Sequence, residues 1–148
     1  MLRSDFLQYL KDNNLYIDKK YFGIESKKVV IIDDDEQILN FIKRFFQKSN
    51  FDGNVEYATD GISGLIKVGS FKPDIVILDI EMPGMNGIEV CEKVLMDTTL
   101  AGIKVVIMSG FLSKYEEDLK DLNIETTIEK PFKFSNLEKK LLPLLNEK

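Results

Sequence analysis

The sequence contains no histidine, no tryptophan and only one cysteine, Cys91, among its 148 residues. The absence of histidine excludes His-based catalytic triads, an imidazole general base and most zinc sites. One cysteine cannot form an internal disulfide, which suits a reducing compartment, and we expect a cytoplasmic location. The chemistry of the chain must therefore use groups other than imidazole.

Long apolar runs are also missing. No run approaches the roughly 18 residues that a membrane-spanning helix needs, so no membrane association is predicted. The formal net charge is −5, with acidic and basic residues interspersed, which argues against direct nucleic-acid binding by this chain. With 44% hydrophobic and 30% charged residues, the composition is that of one folded domain with a short appendage.

Short apolar runs at 29–32, 75–78 and 105–108 are continuous and rich in β-branched residues. This pattern is typical of strands that are covered on both faces of a parallel sheet. Two weaker strands are predicted at 54–58 and 125–129. Helical spacing of apolar residues predicts five helices, at 36–46, 62–68, 88–95, 115–122 and 135–142, the last one capped by Ser135. The alternation of strand and helix predicts right-handed crossovers with helices on both faces.

Polar residues follow four of these strands: Asp33 and Asp34 the first, Asp79 the third, Ser109 the fourth and Lys130 the fifth. Each has an ordinary explanation when taken alone, such as a helix cap or a turn. In a parallel sheet, however, the carboxyl ends of the strands lie along one edge, where open α/β folds place their sites. The strand assignment therefore predicts that the five residues converge.

Three carboxylates in one crevice repel one another, by about 4 kcal/mol per pair at ~4 Å and an effective dielectric of ~20. A single lysine cannot offset this repulsion, so either a proton or a divalent cation must enter the crevice. Ligands that offer only oxygen favour Mg²⁺ over zinc. We therefore predict Mg²⁺ as the cofactor.

Four sequence blocks resemble the successive signature blocks of receiver domains of two-component signalling: VVIIDDDEQI, PDIVILDIEMPGMNGIEV, KVVIMSG and IEKPF. The resemblance covers about residues 27–145. It implies a flavodoxin-like, doubly wound α/β fold with a five-stranded parallel sheet of order 2-1-3-4-5 and helices on both faces. It also implies a phosphoacceptor regulatory domain, similar to the chemotaxis receivers, rather than an enzyme.

The resemblance assigns roles to individual residues. Asp79 is the implied phosphoacceptor. The implied metal ligands are Asp33, Asp34, Asp79 and the backbone carbonyl of Glu81, with Asp34 binding directly and Asp33 through water. Ser109 would bond a phosphoryl oxygen, and Lys130 would supply the ammonium of the site, followed by a cis peptide bond to Pro131.

The resemblance also implies how the switch is read. Ser109 would move toward the phosphoryl group and carry the following loop with it. Thr127 occupies the switch position that is aromatic in many family members, and Tyr115 or Phe111 could substitute for the missing ring. The expected partner is a histidine kinase or a phosphotransfer protein, which supplies the phosphohistidine. The fourth and fifth receiver helices would carry the signal and allow a homodimer.

Two other functions compete with this one. Asp79-Ile80-Glu81 after an apolar strand is also similar to the nucleophile motif of haloacid-dehalogenase-type phosphatases. Those enzymes usually carry Asp rather than Glu at the second acidic position, and the pair Asp33-Asp34 does not fit their order. A receiver-like module that never takes phosphate is disfavoured because every site residue is present.

Residues 1–26 are predicted to form an N-terminal helix and linker ahead of the receiver domain at 27–148. Ser4 can cap this helix, and Asn13-Asn14 can end it. Two interpretations stay open. The helix can be an independent docking or dimerisation element. Alternatively, RSDFLQYLKDNNLYI resembles the final helix and linker found after excisionase-like DNA-binding domains, which would make the whole protein a transcription regulator.

Overall fold

The computed structural model of the protein describes residues 3–15 and 26–147. Five parallel strands form one sheet: β1 (Lys28–Ile32), β2 (Asn54–Ala58), β3 (Ile75–Asp79), β4 (Lys104–Ser109) and β5 (Thr126–Glu129). Their order is β2-β1-β3-β4-β5, which is the doubly wound order predicted from the sequence. The prediction of the fold class is confirmed.

Six α-helices lie in the described residues: α1 (Arg3–Asp12), α2 (Glu36–Lys48), α3 (Gly61–Phe71), α4 (Gly87–Met96), α5 (Glu116–Lys120) and α6 (Phe134–Leu145). Two 3₁₀ turns, Thr98–Leu100 and Leu112–Tyr115, precede β4 and α5. None of these helices has the length and apolar character needed to cross a membrane.

Side-chain caps explain where three of the helices begin. The carboxylate of Asp35 accepts the N–H of Gln37 at the start of α2, and Asp60 likewise accepts the N–H of Ser63 in α3. Asn86 begins α4 by accepting the N–H of Glu89. Each cap satisfies a backbone donor that the first helical turn leaves free, which is worth about 1 kcal/mol.

Two local predictions were wrong, and one helix is shorter than predicted. Ser135 does not cap the last helix; instead, Asn136 Oδ1 accepts the N–H of Lys133 at 2.7 Å. Ser4 lies inside α1 rather than before it, although this helix does end at Asn13 and Asn14. The helix predicted at 115–122 is present but spans only the five residues of α5, directly after the 3₁₀ turn at Leu112–Tyr115. Three acidic residues in its first turn favour the helix start, but no side chain caps it.

The apolar strands are continuous because the sheet is buried on both faces. Val29 and Ile31 of β1 pack with Phe45 of α2 and Leu137 of α6 on one face. Their neighbours in β1, Val30 and Ile32, belong to the core on the other face. Alternate side chains therefore point into two cores, and burial of each such side chain contributes roughly 1.5–3 kcal/mol.

The register of the sheet brings the ends of the strands to a common level. Asp79, the last residue of β3, pairs with Met108 of β4, and Ser109 pairs with Glu129 of β5. The N–H of Asp33, just beyond β1, donates to the carbonyl of Ala58 at the end of β2. The carboxyl edge of the sheet is thus a rim on which these polar residues lie.

Candidate functional site

Three aspartates form an acidic crevice at this rim. Asp33 is fully buried and Asp79 is 2% exposed, whereas Asp34 is exposed. One carboxylate oxygen from each of the three lies within 4.8 Å of the others. The structure therefore brings together the aspartates that the sequence reasoning had placed at the ends of β1 and β3.

Lys130 reaches the crevice from the end of β5. Its Nζ lies 2.8 Å from Asp33 Oδ2 and 3.4 Å from Asp79 Oδ2, so one ammonium pairs with both buried carboxylates. The peptide bond between Lys130 and Pro131 is cis, as expected from the sequence. The N–H of Lys130 also donates to the carbonyl of Ser109 at 2.8 Å, which ties this residue to the end of β4.

The crevice perturbs the acid–base behaviour of its groups. Burial raises the pKa of Asp79 to about 6, and the negative charge of Asp33 adds to this effect while Lys130 opposes it. Burial also raises the pKa of Asp33, against the hydrogen bond from Lys130. For Lys130, burial favours the neutral amine, but the contacts with Asp33 and Asp79 outweigh it and raise its pKa. The raised pKa values of the two buried carboxyl groups mean that Lys130 alone does not offset their burial and mutual repulsion.

Ser109 is buried at the end of β4, but its hydroxyl makes hydrogen bonds with groups other than the three aspartates. It donates a hydrogen bond to Glu81 Oε1 and accepts the N–H of Phe111 at 2.9 Å. The same carboxylate oxygen of Glu81 accepts the N–H of Gly110 at 3.0 Å. The sequence pointed to the backbone carbonyl of Glu81 as a ligand, but not to the contacts of its side chain with Ser109 and Gly110. A side chain that reaches across a loop to another strand has no signature in sequence spacing.

The remaining predicted position, Thr127, lies within β5 and not in the acidic crevice. It pairs with Ile107 of β4 and is half-buried. With Leu112 and Lys140 it lines a surface cleft of about 620 Å³. Of the two suggested aromatic substitutes, Tyr115 is half-buried and Phe111 is 62% exposed.

The donor set suits a hard divalent cation. All three side chains offer carboxylate oxygens, and one of them, Asp34, is open to solvent and thus accessible to an entering ion. Mg²⁺ and Ca²⁺ prefer such oxygen ligands, whereas zinc prefers nitrogen and sulfur. The excess negative charge of the crevice gives the cation a favourable electrostatic environment.

A doubly wound sheet with an acidic crevice and a lysine at its carboxyl edge defines an α/β domain of the class that binds ligands at the strand ends. Residues 29–142 match the family model of the response regulator receiver domain, and the chain belongs to this family. Receiver domains of this family are regulatory phosphoacceptor domains that bind Mg²⁺. Membership implies interaction with histidine kinases or phosphotransfer proteins.

Individual relatives agree with this assignment. The sporulation initiation phosphotransferase F of Bacillus subtilis is 32% identical over 124 residues, which cover 80% of this chain and 96% of that protein. The response regulator ArlR of Staphylococcus saprophyticus is 28% identical over 119 residues, and this chain spans only 52% of its length. The receiver domain of a DNA-binding response regulator from Colwellia psychrerythraea superposes with a TM-score of 0.75 at 27% identity, covering 82% of this chain and all of that one.

Proposed function

We propose that this chain is a phosphorylation switch in which Asp79 accepts a phosphoryl group from the phosphohistidine of a histidine kinase or phosphotransfer protein. The observation that carries the proposal is the crevice itself. Three carboxylates have oxygens within 4.8 Å of one another, and the Lys130 ammonium pairs with two of them. Such a concentration of buried charge costs stability, which is typical of a functional site.

The proposed ligands of Mg²⁺ are Asp33, Asp34, Asp79 and the backbone carbonyl of Glu81, with Asp33 acting through water. When bound, Mg²⁺ would neutralise the carboxylates and polarise the oxygens of the incoming phosphoryl group. The chain's own contribution is to hold the carboxylates in place before the ion arrives. Asp33 does so through its buried position and through the N–H of Asp35, which donates to its carboxylate at 2.9 Å.

In the proposed reaction, a carboxylate oxygen of Asp79 attacks phosphorus in line as the bond from phosphorus to the donor's imidazole nitrogen breaks. The product is an acyl phosphate. Lys130 stabilises the added negative charge, and the hydroxyl of Ser109 donates a hydrogen bond to a phosphoryl oxygen. Because water hydrolyses an acyl phosphate, the signal ends by autodephosphorylation, and no sustained turnover of an external substrate is expected.

The output of the switch is a further part of the proposal. We assign residues 1–26 to an N-terminal helix and linker, of which 1–2 and 16–25 lie outside the described residues, and residues 27–148 to the receiver domain, with a cytoplasmic location. The signal would leave through the face of α5 and α6, where a homodimer can form, and Thr127 would take the switch position. Some relatives are DNA-binding regulators of which this chain spans about half, and another is a phosphotransferase that it spans almost entirely. The output domain or partner therefore has to be identified separately.

Incubation with Mg²⁺ and acetyl phosphate, followed by intact-mass spectrometry, tests the phosphoacceptor. The wild type should gain the mass of one phosphoryl group, and Asp79→Asn should gain none. Asp118→Asn, which removes an exposed carboxylate from α5, is the matched control and should label like the wild type. Labelling of Asp79→Asn at the wild-type level would refute the assignment. Continuous release of phosphate from a phosphomonoester would favour the phosphatase, and failure of beryllofluoride to bind would favour the module that takes no phosphate.

A further inference from the structure

The side chain of Glu81 holds Ser109 and the loop after β4 in one position. Its Oε1 accepts two hydrogen bonds, from the Ser109 hydroxyl and from the N–H of Gly110. Ser109 in turn accepts the N–H of Phe111. A single carboxylate therefore connects the β3–α4 loop to Ser109 and Gly110, and through the Ser109 hydroxyl to Phe111.

The Ser109 hydroxyl has only one proton to donate. In the structure the hydroxyl donates its hydrogen bond to Glu81, so it cannot donate one to an oxygen near Asp79. A phosphoryl group on Asp79 can receive it only if the bond to Glu81 is broken. The carboxylate and the phosphoryl group are thus competitors for the same donor, and both carry negative charge.

We propose that Glu81 is a positioning residue that restrains the switch: its carboxylate keeps Ser109 and the β4–α5 loop in the unphosphorylated arrangement. Phosphorylation has to displace this restraint. The consequence for the phosphorylated state rests on the proposed function, whereas the restraint itself is a property of the unphosphorylated protein. Glu81 acts through Ser109 and not on the phosphoryl group.

The restraint can be measured without any phosphoryl group or metal. We expect the Gly110 amide in Glu81→Ala to exchange its hydrogen about tenfold faster than in the wild type, since its only described acceptor is removed. Glu129→Ala is the matched control, because Glu129 is exposed and pairs with Ser109 across β4 and β5. Equal exchange rates in Glu81→Ala and wild type, measured by NMR, would overturn the proposal.

A double-mutant cycle tests the competition itself. Removal of the Glu81 carboxylate should tighten the binding of beryllofluoride with Mg²⁺ about tenfold, as measured by calorimetry, if one hydrogen bond to a charged acceptor no longer has to be broken. In the Ser109→Ala background the same substitution should change the affinity less than twofold, because the competing donor is gone. A tenfold gain in both backgrounds would mean that Glu81 acts only through its charge, which contradicts the proposal. If the wild type itself binds no beryllofluoride, the proposed function fails, and the exchange experiment alone decides on the restraint.

Discussion

Asp79→Asn should stabilise the metal-free protein at neutral pH, although it removes the central residue of the site. The folded protein raises the pKa of Asp79 from 3.8 to about 6, so ionisation of this carboxyl is less favourable in the folded than in the unfolded chain. At pH 7.5 this difference corresponds to about 3 kcal/mol of lost stability. Asparagine has the same shape and carries no charge, so it removes this cost.

The contacts around Asp79 indicate that most of this gain will be realised. Lys130 loses one partner at 3.4 Å but keeps Asp33 at 2.8 Å, so its ammonium is not left unpaired. The N–H of Glu81, which donates to Asp79 Oδ1 at 3.2 Å, can donate to the amide oxygen of asparagine instead. We therefore expect a gain of about 2–3 kcal/mol in the free energy of unfolding.

Urea unfolding in EDTA, followed by circular dichroism, measures this gain in stability. The pH dependence of the gain shows whether it comes from the ionisation of Asp79. Because the folded pKa of Asp79 lies above the unfolded one, the contribution of this residue to stability is lost as pH rises between about 4 and 6. At pH 4.5 the folded wild type already carries a proton on Asp79, so the advantage of Asp79→Asn should fall to about 1 kcal/mol. Saturating Mg²⁺ should also narrow the gap, since it stabilises the wild type more than the variant. An Asp79→Asn variant that is no more stable than the wild type in EDTA at pH 7.5 would refute the reasoning. Asp118→Asn is the control for the change in net charge, because it removes one exposed carboxylate.

Three further predictions test other parts of the structure. Lys130→Ala should destabilise the metal-free protein by about 3–5 kcal/mol in the same urea assay, because two buried carboxylates lose their cation, and Mg²⁺ should restore part of the loss. Gly87→Ala should lower the free energy of unfolding by about 1–3 kcal/mol, since the added Cβ would lie 2.3 Å from a backbone atom of the β3–α4 loop. Gly69→Ala is the control: its Cβ would have no atom within 4 Å, so the substitution should be neutral or slightly stabilising. Thr127→Tyr should change dimerisation on phosphorylation, measured by sedimentation, more than the rate of labelling by acetyl phosphate; equal changes in both would count against Thr127 as the switch position.

The local pattern of the sequence was sufficient for the strands and for the edge on which the site lies. The run at 75–78 could be assigned to a buried parallel strand because it is continuous and β-branched, and the structure buries all of β3. Local rules were less successful at helix ends. At the start of α6, Asn136 rather than Ser135 accepts the backbone N–H of Lys133. Both side chains are chemically able to accept such a hydrogen bond, and only the path of the chain decides between them.

The order of residues is enough to tell which groups lie at the rim, because an aspartate that directly follows a buried strand must lie at the carboxyl end of that strand. It also determined that these groups are carboxylates, a hydroxyl and an amine with no histidine among them. Which atoms pair with one another depends on the folded arrangement of the side chains. The ammonium of Lys130 lies closer to Asp33 than to Asp79, and the hydroxyl of Ser109 donates a hydrogen bond to Glu81. The reason is physical: hydrogen bonds between residues distant in sequence depend on side-chain directions and loop paths to within an ångström, and neither periodicity nor spacing carries that information.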